Sequence, residues 1–263
     1  MSAESLSYDG IAPVYHQRYA GNRLEGVADA LASLVSRLNA KQILEVGCGT
    51  GRWLVELQPL VRRTYGLDLS TGMLRQAQQI HGPLALACGR ATQLPFPRAA
   101  FDLVLCVNAI HHFGTPHIFV AEARRVLRPG GALAVINMDP HRGRDRWYVY
   151  NYFEGTREAD LRRFPSAGTI LDWMAAEGFE RAEWQTAEHI VGESSGREVL
   201  DSHFLQKNGT SQLALLTDEA YAAGLQRIES ALAEAETRGE TITFATDVSL
   251  TMMTGFLPEA SSR

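Results

Sequence analysis

The chain has 263 residues, of which 45% are hydrophobic and 21% are charged, and its net charge at neutral pH is −5. These values are typical of a globular protein with one full core, and they exclude a disordered or fibrous chain. A net negative chain is poorly suited to neutralise phosphates, so we expect no nucleic acid among its partners.

The cysteines and the apolar runs narrow the class of protein further. Cys48, Cys88 and Cys106 lie in or beside apolar runs, which predicts buried thiols in a reducing compartment and no metal site. No apolar run approaches the roughly 20 residues of a membrane span, and the first residues lack a secretory signal pattern. We therefore expect a cytoplasmic protein without a membrane span.

A tyrosine-rich segment, residues 8–19, precedes the first predicted strand and includes Tyr15. Its composition is typical of a surface helix whose aromatic side chains pack on the core. Apolar residues then recur at helical spacing over residues 26–39. This pattern predicts an amphipathic helix that covers a sheet.

Residues 42–51, QILEVGCGTG, are the centre of the predicted fold. The apolar run with β-branched members predicts a buried strand that ends at Gly47, where a glycine turn opens a helix. Gly47, Gly49 and Gly51 allow positive φ and carry no Cβ, so we expect a ligand to approach the main chain and meet the first free N–H groups of the helix. The alternative is a glycine-ended turn in an unrelated α/β protein.

A second apolar run, residues 64–67, ends in Asp68, about 20 residues after the glycine turn. From this position an acid reaches ribose hydroxyls in a βαβ nucleotide site. The glycine spacing is G-x-G-x-G, whereas dinucleotide folds have G-x-G-x-x-G. A helix over residues 73–80 follows, with Ser70 or Thr71 as its predicted cap.

Three further strands and one helix complete the predicted parallel sheet. The strands cover residues 84–88, 101–107 and 132–137, and the helix covers residues 118–127. A turn with the sequence LRPGG, residues 127–131, precedes the last of these strands.

The polar residues after the fourth strand are candidates for chemistry. Asn108, His111 and His112 follow this strand, where strand order reverses and ligands of open parallel sheets bind. A histidine there can orient or deprotonate an acceptor hydroxyl or amine near neutral pH. The alternative is that both histidines cap the turn or bond to backbone.

Together these motifs resemble the class I S-adenosylmethionine-dependent methyltransferases, in particular the small-molecule type known as methyltransferase type 11 or ubiquinone–menaquinone methyltransferase-like. The matching segments are LEVGCGTG, GLDLS, LPF, FDLV and LRPGG. The resemblance implies a Rossmann-like, doubly wound, seven-stranded sheet that is mostly parallel, with a C-terminal antiparallel hairpin and a helical insertion. It also implies S-adenosylmethionine as cofactor and a small-molecule acceptor.

The resemblance also assigns roles to residues of this chain. Glu45 and the glycine turn would hold the methionine end, and Asp68 would bind the ribose. Met73 would touch the adenine, unless it is plain core, and Tyr15 would lie in a lid over the cofactor. The residues that we expect at the cofactor are Tyr15, Glu45, Gly47, Cys48, Gly49, Gly51, Asp68, Leu69, Met73, Arg90, Ala91 and Asn108.

Arg90 departs from the family pattern, in which an acid at this place accepts a hydrogen bond from the adenine amino group. A guanidinium has only donors and cannot accept that bond. Arg90 would stack on the adenine, or turn away and leave the backbone around Ala91 to meet the ring edge.

Beyond residue 140 the resemblance rests on the order of elements alone. The segment 139–165 would wall an acceptor pocket, or pack as one face of a helix, with the aromatic residues Trp147, Tyr148, Tyr150, Tyr152 and Phe153. Predicted strands over residues 179–191 and 241–256 would form the hairpin, with a mostly helical stretch, 193–238, between them.

The predicted organisation is one methyltransferase domain over residues 1–263, with a cofactor-binding core over residues 8–140. Two helical insertions, 141–168 and 193–240, would cover the substrate side, and the second would otherwise support a homodimer.

The expected reaction is transfer of the sulfonium methyl group to a small-molecule nucleophile. Its rate would come chiefly from alignment of donor and acceptor and from exclusion of water, so no catalytic triad or metal is required. His111 and His112 are the candidate bases. The alternatives are a non-catalytic cofactor-binding module, which Arg90 favours, and a nicotinamide-dependent dehydrogenase, which the glycine spacing disfavours.

Overall fold

The computed structural model describes residues 12–15 and 23–260. Most of the tyrosine-rich segment lies outside these residues, although Tyr15 lies within them. Among the described residues, none of the helices has the length and apolar character needed to cross a membrane.

The strands and helices have the following bounds. The strands are β1 (Gln42–Val46), β2 (Arg63–Asp68), β3 (Ala85–Cys88), β4 (Phe101–Val107), β5 (Leu127–Met138), β6 (Arg146–Trp147), β7 (Arg181–Ser195) and β8 (Thr243–Phe256). The helices are α1 (Ala12–Tyr15), α2 (Glu25–Leu38), α3 (Arg52–Leu57), α4 (Thr71–His81), α5 (Pro116–Val126), α6 (Tyr148–Tyr152), α7 (Thr156–Arg163), α8 (Ala167–Ala176), α9 (Ser211–Ala214) and α10 (Asp218–Thr237).

The strands form one sheet in the order β3-β2-β1-β4-β5-β8, and β6 and β7 both pair with β8. Strands β1 to β5 are parallel, whereas β8 is antiparallel to β5, β6 and β7. This confirms the predicted doubly wound fold and its C-terminal hairpin. The sheet has eight strands where we expected seven, because β6 adds two residues, too few to give a periodic pattern in sequence.

Alternating burial places a core on each face of the sheet. Leu44 and Val46 of β1 face one core, which contains apolar residues of α5 and α8. Ile43 faces the other core, together with α2 and α3. Because both faces are covered, the central strands are nearly continuous apolar runs, as is usual for parallel strands.

The LRPGG segment lies inside β5 and is not a turn before it. Pairing between β4 and β5 shifts after Phe101 opposite Leu127 and resumes with Leu103 opposite Ala132. The intervening residues form an irregularity in which Gly130 has φ of +75°. The predicted turn is thus a bulge in a strand that begins five residues earlier than we expected.

The stretch between β7 and β8 is less helical than predicted. Strand β7 continues to Ser195, short 3-10 turns follow, and only α9 and α10 are α-helical. One face of α10 is buried, with Ile228 and Leu232 inside the protein. These residues form a third core with Phe153 of α6 and Phe244 of β8, so this insertion packs against the segment after β5.

Candidate active site

The glycine turn after β1 has three residues in the left-handed region, with φ of +77° at Gly47, +51° at Gly49 and +79° at Gly51. A Cβ at Gly47 would overlap the methyl group of Ala109, and one at Gly51 would crowd Leu84. A Cβ at Gly49 would meet only the Tyr15 ring, 3.8 Å away, among the described residues. The protein's own side chains therefore fill the space beside two glycines, and Gly49 is the one that faces an open region.

Within the turn, the N–H groups of Gly47, Cys48, Gly49 and Gly51 are bonded within the protein. The cause is β2, which ends directly beside the turn. The hydrogen bonds run from Gly47 to the carbonyl of Leu67 (2.7 Å), from Cys48 to the same carbonyl (3.1 Å), from Gly49 to the carboxylate of Asp68 (2.8 Å) and from Gly51 to the carbonyl of Cys48 (2.9 Å).

Asp68 is fixed at the end of β2 by two backbone groups. Its Oδ2 accepts from Gly49 and its Oδ1 accepts from the N–H of Ser70 at 2.9 Å. The Ser70 hydroxyl in turn accepts from the N–H of Met73 at 3.1 Å, which confirms the predicted cap of α4. These two bonds fix the carboxylate of Asp68 beside the glycine turn.

Glu45 is a buried acid beneath the turn. Its side chain is 1% exposed, and its Oε2 has no hydrogen-bond partner among the described residues. Burial, and then the charge of Asp68, raise the pKa of Glu45 well above its ordinary value. Burial, with the charges of Glu45 and Asp68, also raises the pKa of the Cys48 thiol, so this cysteine stays protonated. A cation bound beside Glu45 and Asp68 would favour the ionised form of Glu45, because it would offset the cost of its burial.

The residues predicted near the adenine differ in exposure. Leu69 follows Asp68 directly and is 61% exposed, so its side chain is available to a ring. Met73 is 2% exposed and packs against Ala12, as in the alternative that it is core. Arg90 is exposed after β3, and Ala91 is buried in the core.

A pocket of about 180 Å³ lies beyond the carboxyl ends of β4 and β5. Its floor contains Asn108, His111 and His112. Its walls come from β7 and β8 and its roof from the insertion between them. The remaining lining residues are Tyr15, Leu24, Met138, Trp147, Phe164, Ile190, Phe204, Gly209, Thr210, Ser211, Gln212, Thr246, Val248 and Leu250.

The two histidines lie on a 3-10 turn, Ile110–His112, and are half-buried. The His111 ring stacks on Phe164, with centroids 3.9 Å apart and planes 14° apart, and lies 3.9 Å from the His112 ring. The carbonyl of Phe164 lies 2.8 Å from Nε2 of His141. The loop before α8 therefore orients His111.

The aromatic segment contributes less to the pocket than we expected. Of the five aromatic residues over 147–153, Trp147 lines the pocket. Tyr148 and Phe153 are buried in the third core, as in the alternative of a packed helix face. Sequence reasoning missed Phe164, which follows two arginines in a polar helix and carries no motif.

The roof residues Thr210, Ser211 and Gln212 were also missed, because a short polar stretch has no periodicity that indicates burial. Of these three, Gln212 is held by Asp160 of α7, which is fully buried. Its carboxylate accepts from the Tyr150 hydroxyl (2.8 Å) and from the Gln212 amide (2.7 Å). It also pairs with Arg163 at 2.6 Å. In sequence α7 is a charged surface helix, and the burial of Asp160 depends on contacts with α9.

Comparison with known proteins agrees with this geometry. Residues 44–135 match the family described as a methyltransferase domain. The chain is 39% identical over 118 residues to the phthiotriol/phenolphthiotriol dimycocerosates methyltransferase of Mycobacterium leprae, an alignment that covers 43% of each chain. The chain thus spans less than half the length of that relative.

Two longer matches cover most of the chain. The malonyl-[acyl-carrier protein] O-methyltransferase of Herminiimonas arsenicoxydans is 28% identical over 207 residues, which covers 76% of this chain and 73% of that protein. A crystal structure described as a methyltransferase from an antibiotic biosynthesis pathway of Anabaena variabilis aligns with a TM-score of 0.68 at 22% identity. It covers 88% of this chain and 96% of the other, and it shows that the two share a fold.

Proposed function

The chain belongs to the class I S-adenosylmethionine-dependent methyltransferases, and from this premise we propose that it transfers a methyl group from S-adenosylmethionine to a small-molecule acceptor. The observation that carries the proposal is the buried, unpartnered Oε2 of Glu45 beneath the open face of Gly49. A buried carboxylate without a counter-charge is strongly unfavourable. The ammonium of the cofactor's amino-acid end supplies that charge.

The residues on either side of the turn complete the proposed cofactor site. Asp68 binds the ribose hydroxyls from the end of β2, where its two backbone bonds fix the carboxylate. Leu69 covers one face of the adenine, and Tyr15 lies over Gly49 at the methionine end. The cofactor supplies the electrophilic methyl group, and these side chains fix its direction toward the pocket.

The acceptor occupies the pocket floored by Asn108, His111 and His112. His112 takes the proton of an acceptor hydroxyl or amine, and His111 is held in place by Phe164. The largely apolar walls exclude water from the reacting atoms. In this proposal residues 8–140 hold the cofactor, and segments 141–168 and 193–240 cover the acceptor.

The family assignment argues against the nicotinamide-dependent dehydrogenase. The other alternative, a non-catalytic cofactor-binding module, is distinguished from an enzyme by a methyl-transfer assay. Protein incubated with labelled S-adenosylmethionine and a panel of phenols, amines and quinones is expected to transfer label to an acceptor.

Binding tests the cofactor assignment directly. Titration calorimetry is expected to show S-adenosylhomocysteine binding and no comparable binding of NAD. The Glu45→Gln variant is expected to bind the cofactor product about tenfold more weakly, and the exposed Glu56→Gln variant to bind normally. Equal affinities in the two variants would remove Glu45 from the site.

We also propose a cytoplasmic location, which the three free thiols support. A role in nucleic-acid binding is disfavoured by the net charge of −5.

A further inference from the structure

Among the described residues, those that line the acceptor pocket include no acidic side chain and no lysine or arginine. Apart from the two histidines, its polar side chains are hydroxyls and amides. An ionised acceptor that entered this pocket would lose its hydration without gaining a carboxylate, lysine or arginine partner from the described lining. The pocket therefore disfavours carboxylates, phosphates and ammonium groups.

The charges that lie near the roof are already engaged with one another. Asp160 accepts bonds from Tyr150 and Gln212 and is paired with Arg163. Arg163 also donates to the Ser211 hydroxyl at 3.3 Å. This ion pair holds the roof side chains in place and is not itself part of the pocket surface.

The roof offers a neutral hydrogen-bonding edge. Thr210, Ser211 and Gln212 are each more than nine-tenths buried. The Thr210 hydroxyl accepts from the N–H of Leu213 at 3.3 Å, as the cap of α9, so its own hydrogen is directed elsewhere. A hydroxyl or carbonyl oxygen at the far end of an acceptor would receive that hydrogen.

The volume limits the size of the acceptor. A cavity of about 150 Å³ takes up a benzene molecule, and this pocket has about 180 Å³. One ring, or two fused rings when part of the molecule extends through the opening, fills such a space.

We infer that the acceptor is a compact, uncharged hydroxyl compound built on one or two rings, with a second neutral oxygen at the Thr210 end. This inference rests on the proposed function and narrows it. The acceptor oxygen forms a bond to the methyl carbon of the sulfonium donor while the carbon–sulfur bond breaks and leaves its electron pair on sulfur. The hydroxyl proton passes to a ring nitrogen of His112.

A matched pair of probes tests the charge preference. Calorimetry at pH 7.5 compares 2-naphthol, which is neutral, with 2-naphthoate, which is ionised, in protein with and without S-adenosylhomocysteine. We expect 2-naphthol to bind at least about tenfold more tightly. Equal binding, tighter binding of 2-naphthoate, or binding of neither probe would overturn the inference.

The cofactor product keeps the two proposals apart. If S-adenosylhomocysteine itself fails to bind, the proposed function fails, while the probe comparison in cofactor-free protein still decides the nature of the pocket. If it binds and the preference for 2-naphthol is missing, the acceptor class alone fails.

The polar edge is tested with 2,6-dihydroxynaphthalene and a matched pair of variants. Thr210 caps α9 and lines the pocket, whereas Thr217 caps α10 and is absent from the lining. The second hydroxyl is expected to improve affinity over 2-naphthol in the wild type and in Thr217→Val, and to lose that gain in Thr210→Val. A gain that survives in Thr210→Val, or is absent from the wild type, contradicts the role of Thr210; melting temperatures show that both variants fold.

Discussion

Asp68 Oδ2 accepts a hydrogen bond from the N–H of Gly49 at 2.8 Å, and this bond ties the end of β2 to the turn after β1. The acid that sequence reasoning assigned to the ribose thus also shapes the loop that faces the methionine end. Loss of its carboxylate is expected to disturb both ends of the cofactor site together.

The Asp68→Ala variant is expected to bind S-adenosylhomocysteine at least about tenfold more weakly, the scale of one lost charge-assisted hydrogen bond. Calorimetry measures the change. Asp102→Ala is the matched control, because Asp102 accepts from the N–H groups of Lys41 (2.7 Å) and Gln42 (2.8 Å) at the opposite end of β1. It should reduce stability and leave the affinity intact; an unchanged affinity in Asp68→Ala would remove Asp68 from the site.

Cofactor binding is expected to depend on pH through Glu45. Burial, and then Asp68, raise the pKa of this carboxyl, so the protonated form persists to higher pH than in an ordinary glutamate. The cofactor ammonium binds the ionised form, so affinity should rise as pH increases through the raised pKa and then level off. Calorimetry across pH should show this rise in the wild type and in Glu56→Gln. If Glu45→Gln shows the same rise, another group is responsible.

The cofactor half of the site was accessible to sequence reasoning because its determinants are local. The strand, the glycine turn and the acid follow one another along the chain from β1 to the end of β2. Each residue type is required there by the local backbone conformation or by the ligand. The sequence does not predict the hydrogen-bond partners of the turn's N–H groups. Gly47 and Cys48 both donate to the carbonyl of Leu67, which lies on the neighbouring strand. That contact depends on strand register.

The acceptor half was largely inaccessible for the opposite reason. Thr210 and Phe164 reach the pocket from elements far apart in sequence, and neither carries a motif. Asp160 stands among charged residues in α7, a pattern that favours a solvated surface, yet it is fully buried by contacts that α9 provides. Only the packing of the insertion identifies these residues.

The two histidines are expected to differ in kinetic role. If His112 is the base, His112→Ala lowers kcat by roughly 10²–10⁴-fold on an acceptor that must lose a proton. His111→Ala removes the ring stacked on Phe164 and should have the smaller effect. His117→Ala is the control, since His117 is exposed and lies outside the pocket lining. Steady-state rates on the acceptor that receives label decide the order, and a larger loss in His111→Ala would exchange the roles.

Gly47 is expected to tolerate no side chain. Gly47→Ala combines a left-handed φ with overlap on the Ala109 methyl, whereas Gly143→Ala has a similar φ of +64° and open space around it. The left-handed φ destabilises both alanine variants by about 1–2 kcal/mol. Overlap with the Ala109 methyl adds about 1–3 kcal/mol in Gly47→Ala alone. Chemical denaturation measures the difference; equal losses would show that the turn shifts to make room.

Gly224 in the middle of α10 is expected to be required for packing of the insertion. A Cβ there would overlap the ring of Phe153, which is fully buried. Alanine gains about 1 kcal/mol over glycine in a helix interior, and overpacking costs about 1–3 kcal/mol, so Gly224→Ala should be neutral to destabilising. Gly168→Ala in α8 is the control, because Gly168 is exposed and has room for a Cβ, and it should stabilise the protein.

The Phe153 contact is affected in Gly224→Ala alone, whereas both variants replace a helical glycine by a better helix former, Gly168 in the first turn of α8 and Gly224 in the interior of α10. In a protein of this size 1 kcal/mol corresponds to about 2–4 °C in Tm, which thermal unfolding resolves.

Affinity for S-adenosylhomocysteine should be unchanged in Gly224→Ala, because Gly224 and Phe153 pack in the third core and the glycine turn lies at the ends of β1 and β2. Binding of 2-naphthol should weaken, because the roof of the pocket is built on that core. Equal stabilisation by both substitutions would mean that Phe153 moves freely and that the insertion is not rigidly packed.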